Sequence, residues 1–149
     1  MTTNDLSAPR ALANAPAPNC DSGFSILLVE DNEDAAEMLR QVLELSGHRV
    51  WVANRGEQGL VIAREQTPDV VLCDLGLPGI TGYQVAEQLR AGAETRDLRL
   101  VALSGYGRPE DKARSAAAGF DAHLTKPVDA STVERAVATL GAAARTKRP

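Results

Sequence analysis

Five polar side chains stand where short apolar runs of this 149-residue chain stop. Glu30 and Asp31 follow "SILLV", Asp74 follows "DVVLC", Ser104 follows "RLVAL" and Lys126 follows "AHLT". Carboxylates brought close together repel and raise one another's proton affinity. Lys126 can compensate one charge. A hard divalent cation can compensate two, and Mg²⁺ favours one or two carboxylates together with waters and a phosphate oxygen. A nucleotide site would place a glycine- or hydroxyl-rich turn after the first run to cradle phosphate, whereas this turn is acidic. The spacing therefore suits a cation first and one phosphoryl group second. Asp74 is the remaining carboxylate, and carboxylates serve as nucleophiles toward phosphorus, giving an aspartyl phosphate. Each piece also has an ordinary reading: Glu30-Asp31-Asn32 as a helix start, Ser104-Gly105 as a turn, Lys126-Pro127 as a surface lysine, and Asp74 as a loop opener. Four independent turns would not need this combination of acid pair, lone acid, hydroxyl and lysine.

The elements that must position these residues alternate. Apolar runs at 25–29, 49–53, 69–73, 99–103 and 122–125 predict five strands, separated by amphipathic stretches. Ala35, Met38, Leu39, Val42 and Leu43 form one helical stripe closed by Gly47, and further helices are expected near 56–66, 81–91 and 109–118. Pro109 suits a first helical turn. Val133, Ala136, Val137 and Leu140 mark a fifth helix. Strands that are apolar throughout belong to a sheet covered on both faces. The fold class is α/β, a doubly wound parallel sheet in a three-layer α/β/α arrangement, whose ligands sit beyond the carboxyl ends of the strands. Gly76 and Gly79 are expected to let the chain turn sharply beside Asp74.

Composition narrows the function. The chain is 44% hydrophobic, 24% charged and 3% aromatic, with a net charge of −4. That is one globular core of Val, Leu, Ile and Ala. The body is acidic, which argues against a nucleic-acid surface. No stretch reaches the roughly 20 apolar residues of a membrane span, and no signal peptide opens the chain, so the expected location is the cytoplasm. Cys20 and Cys73 sit in unlike settings, and with His48 and His123 they give no zinc spacing. Three segments are expected: a flexible Ala/Pro-rich leader at 1–23, one folded domain at 24–143 and a short basic tail at 144–149.

The motifs "LLVEDNED", "CDLGLPGITG", "ALSGYG" and "HLTKPVD" together resemble the receiver domain of two-component response regulators over about four fifths of the chain. The resemblance implies a flavodoxin-like sheet in the order 2-1-3-4-5 with five helices. It also implies phosphoryl transfer to Asp74 from a histidine kinase or a histidine phosphotransfer protein. Carried over position by position, Asp31, Asp74 and the Gly76 carbonyl would hold Mg²⁺, Glu30 would act largely through water, and Lys126 would pair with the phosphoryl oxygens. Ser104 would move to hydrogen-bond them, and the Lys126-Pro127 peptide would be cis. The chain departs from the family at His123, where Tyr or Phe usually stands and swings inward on activation. A strand histidine with no switching role is the alternative, and Tyr106 is the nearest other aromatic.

After the fifth helix too little chain remains for a DNA-binding or catalytic module. A stand-alone receiver is therefore expected. Its switching face, formed by the fourth helix, fifth strand and fifth helix, would control a partner protein without direct contact to nucleic acid or membrane. Two rivals stand beside it. One is a receiver cut from a hybrid histidine kinase, with the leader as a linker. The other is a haloacid-dehalogenase-type phosphatase, disfavoured because the second acid it requires two residues after the nucleophile is Gly76 here.

Overall fold

The computed structural model describes residues 23–105 and 109–147. Most of the expected leader, Cys20 and Tyr106 lie outside the described residues. Five strands and five helices alternate: β1 (Ser25–Val29), α1 (Glu33–Leu45), β2 (Arg49–Ala53), α2 (Gly56–Gln66), β3 (Val70–Asp74), α3 (Gly82–Ala91), β4 (Arg99–Ser104), α4 (Pro109–Ala118), β5 (Ala122–Thr125) and α5 (Ala130–Lys147). All neighbouring strands pair in parallel, in the order β2-β1-β3-β4-β5. The predicted doubly wound sheet is thus the fold.

Because side chains alternate across a strand, each central strand feeds two cores. Leu27, Val29, Val71, Cys73, Leu100 and Ala102 pack with Leu60, Val85 and Leu89 of α2 and α3. Ile26, Leu28, Val70, Leu72, Val101 and Leu103 pack on the other face with Leu39 and Leu43 of α1 and Val133 and Val137 of α5. The apolar stripe expected on α1 is displaced. Ala36, Leu39 and Leu43 are buried, while Met38 is 62% exposed. Leu39 and Leu43 already fill the space above the sheet, and Met38 lies about 100° around the helix from Leu39.

Strand three runs one residue later than expected, because Asp69 is used elsewhere. Its carboxylate accepts hydrogen bonds from the Ser25 backbone N–H (2.9 Å) and hydroxyl (3.2 Å), tying the start of β3 to β1. At the other end, β3 carries Asp74 inside the strand. Helix α5 continues through Lys147, so residues 144–147 extend it.

Candidate functional site

The end of β1 delivers Glu30 to the centre of the strand-end rim. Its N–H donates to Ala53 O of β2 (2.9 Å), which keeps the chain in register one residue past the strand. Asn32 then turns the chain into α1, its side chain accepting from Ala35 N–H (2.9 Å) as a helix cap. Glu30 and Asp74 are buried and Asp31 is exposed. One carboxylate oxygen from each lies within 4.8 Å of the others.

Lys126 answers part of this charge. Its Nζ donates to Glu30 Oε1 at 2.7 Å and lies 3.4 Å from Asp74 Oδ2. Lys126 N–H donates to Ser104 O (2.6 Å), and the Lys126-Pro127 peptide is cis. Glu30 Oε2 accepts from Asn32 N–H at 3.2 Å, and Asp74 Oδ1 accepts from Gly76 N–H at 3.1 Å. Burial pushes the Glu30 carboxyl above its ordinary value, and the Asp74 charge adds to the rise. The hydrogen bonds from Lys126 and Asn32 oppose it without cancelling it. Burial pulls the Lys126 ammonium down, but the hydrogen bond to Glu30 and the charge of Asp74 outweigh this and raise it. One lysine among three carboxylates leaves the cluster electronegative, so the donor set is all oxygen and fits a hard divalent cation.

The loop after β3 is shaped by one glycine and not by the other. Gly79 has φ of 76° and needs its freedom. Gly76 has no positive φ, and a Cβ there would meet only Asp74 Oδ1 at 3.9 Å. The turn therefore does not require it, contrary to the expectation. Gly82, which opens α3, was not foreseen. A Cβ there would come within 2.4 Å of Asp74 O, so only glycine allows α3 to start against the backbone of the acidic residue.

Ser104, the last residue of β4, is buried, and its Oγ lies 2.7 Å from His123 Nε2. His123, half-buried on β5, places Nδ1 3.0 Å from Ser115 Oγ on α4. Ser115 was not legible beforehand. It is one small residue in the stretch "RSAAAG", and only the fold brings it to the ring. The structure thus brings Glu30, Asp31, Asp74 and Lys126 into one cluster and sets Ser104 and His123 in a hydrogen-bonded chain beside it.

A sequence profile of the response regulator receiver domain matches residues 26–138. The chain belongs to the response regulator receiver family. It is 36% identical to the protein PilH of Pseudomonas aeruginosa over 112 residues, covering 75% of this chain and 93% of that protein. It is 32% identical to the polar-differentiation response regulator DivK of Brucella anthropi over 104 residues, covering 70% and 85%. Among solved structures it resembles the receiver domain of a sensor histidine kinase from Pseudomonas aeruginosa, with a TM-score of 0.75 and 29% identity over 80% of this chain and 98% of that one. That receiver holds a magnesium ion coordinated in its active-site cleft. As a receiver, this chain is a signalling domain of two-component systems rather than an enzyme acting on external substrates. Receivers in general work with histidine kinases.

Proposed function

We propose that this receiver accepts a phosphoryl group on Asp74 from a histidine kinase or histidine phosphotransfer protein. The observation that carries the reading is the cluster itself: three carboxylates within 4.8 Å, bridged in part by one lysine at the carboxyl ends of parallel strands. In the transfer, an Asp74 carboxylate oxygen forms a bond to phosphorus as the bond from phosphorus to the donor imidazole nitrogen breaks. Positioning and charge neutralisation supply most of the catalysis in such a step. Asp31, Asp74 and the Gly76 carbonyl would hold Mg²⁺, with Glu30 acting through water. The ion supplies positive charge that the phosphoryl oxygens require. Lys126 would leave its carboxylate partners for a phosphoryl oxygen, and Ser104 would move so that its hydroxyl hydrogen-bonds another. His123 takes the place of the switching aromatic, and the α4-β5-α5 face passes the change to a partner protein in the cytoplasm.

The test is phosphate-affinity electrophoresis after incubation with Mg²⁺ and a small-molecule phosphodonor. A slower, hydroxylamine-labile band is expected that disappears with EDTA and in Asp74→Asn. A band that survives in Asp74→Asn would move the acceptor elsewhere. No band with the small donor and with histidine-kinase donors would reduce Asp74 to a turn residue.

A further inference from the structure

A second charged cluster lies at the opposite end of the sheet from the carboxylates. Arg99 opens β4, the strand that Ser104 closes about 16 Å further along at the rise of an extended chain. With Arg90, Arg96, Asp97 and Asp121 it lines an open cavity of about 360 Å³. The lining thus holds three guanidiniums and two carboxylates.

These charges are unevenly paired. Arg90 gives all five of its N–H groups to Gly119 O, Leu98 O, Arg96 O and Asp121 Oδ2, so it is committed to the wall. Asp121 Oδ2 also accepts from Leu100 N–H at 2.9 Å. Arg99 approaches Asp121 only through Nη1, 3.8 Å from Oδ1, which is beyond hydrogen-bond distance. Its Nε is buried and has no hydrogen-bond partner among the described residues, while 20% of its side chain stays exposed. Arg96 is exposed. A guanidinium drawn part-way out of water without a hydrogen-bonded anion carries a desolvation cost, and an anion placed beside it offsets that cost.

Planar guanidiniums match the oxygens of carboxylates and phosphates. A carboxylate brings two oxygens and one charge, and the wall already holds two such groups. A phosphate group brings three oxygens and close to two charges, which suits a pair of guanidiniums. We propose that this cavity binds the phosphate group of a small phosphorylated molecule, with Arg99 and Arg96 as its donors. The concave shape favours a small molecule over the surface of a protein partner, and the volume falls in the range of about 300–1,000 Å³ found for small-molecule sites. The ligand is held without any bond being made or broken, so the inference does not rest on the reading of Asp74.

The experiment is a titration of the full chain in Mg²⁺-free buffer, followed by nitrogen-15 and proton NMR of the assigned backbone amides. Inorganic phosphate, glycerol phosphate and acetate are compared at matched ionic strength, because salt screens exposed charges. Both phosphates are expected to give saturable shifts at Arg96, Asp97, Gly119 and Asp121, with glycerol phosphate the tighter. Tighter binding of the free ion would overturn the assignment to a phosphorylated molecule. Arg99→Gln should weaken binding about tenfold through the loss of charged hydrogen bonds. Arg96→Gln, at an exposed position, should weaken it about three- to fivefold, and it decides the matter should Arg99→Gln fail to fold. Asp74→Asn should bind as the wild type does. Loss of binding in Asp74→Asn would place the anion at the acidic rim and overturn the site. Unchanged affinity in the arginine variants or the absence of saturable shifts would overturn it as well. Equal shifts with acetate would do so too, in favour of an acidic side chain from a protein partner.

Discussion

Among single residues, Lys126 bears the most contradictory demands. It pairs with two carboxylates in this structure, and under the proposed function it would have to turn to the phosphoryl oxygens. In the resting state it also competes with a cation for the same oxygens, since Nζ reaches Glu30 at 2.7 Å and Asp74 at 3.4 Å. Lys126→Met should therefore act in two opposite directions. Mg²⁺ affinity, measured calorimetrically, should tighten by about tenfold, because removing one positive charge a few ångströms from the cation relieves a repulsion on the order of 1–4 kcal/mol. Phosphorylation of Asp74 should slow by about 10²- to 10³-fold, the usual cost of deleting a charge-stabilising donor. Weaker Mg²⁺ binding in this variant would show that Lys126 organises the carboxylates and does not compete for them. The acids and Lys126 were legible in the sequence because each stands where an apolar run stops. Ser115 was not, since its contact with His123 exists only once α4 and β5 have packed.

Elements are held to the rim by contacts that a local pattern cannot display. Helix α3 starts with a reciprocal cap: Thr81 Oγ1 accepts from Gln84 N–H and the Gln84 side chain accepts from Thr81 N–H. A sequence reading finds such a start, and it did place this helix within a residue. The other end of α3 is different. Arg90 donates to Gly119 O (2.9 and 2.7 Å), Leu98 O (2.6 Å), Arg96 O (2.6 Å) and Asp121 Oδ2 (2.9 Å). One guanidinium thereby joins α3, the segment entering β4 and the turn entering β5. Nothing in "QLRAG" announces this, because its partners lie up to 31 residues away. Helix boundaries follow local chemistry, whereas helix docking follows long-range geometry. Arg90→Ala should cost about 2–3 kcal/mol in urea denaturation, as charged hydrogen bonds are lost and part-buried carbonyls lose their guanidinium donor. Thr81→Ala should cost about 1 kcal/mol. Arg90→Lys should behave like Arg90→Ala, because an ammonium cannot reproduce the planar fork. Full retention of stability in Arg90→Lys would reduce the clasp to simple charge pairing with Asp121.

At the scale of the whole molecule, the rim acts against the stability of the fold that builds it. Glu30 is only 1% exposed and stands directly past the end of β1. Burial, more than the neighbouring Asp74 charge, raises its pKa above the ordinary 4.5. Between 4.5 and the folded value, the native state holds more protons than the unfolded state. Stability must then fall as pH rises through that window and stay at the lower level above it. Lys126 does not mask the effect: its raised pKa gives stability that is complete below 10.5 and is lost only as pH climbs through the folded value. Glu37, lowered to about 2, and Asp129 act with the opposite sign, but they lose their contribution only as pH falls below about 4.5 and 3.8. Denaturation of the wild type and Glu30→Gln in Mg²⁺-free buffer between pH 8 and 4.5 isolates the group. The stability of the wild type relative to the variant should increase as pH is lowered. A flat or reversed difference would mean that Lys126 fully offsets the burial of Glu30. Added Mg²⁺ should weaken the trend, because a cation near the carboxylates favours their ionised forms and competes with the proton. The cluster that costs the apo fold stability near neutral pH is then the one that gives a cation its binding energy.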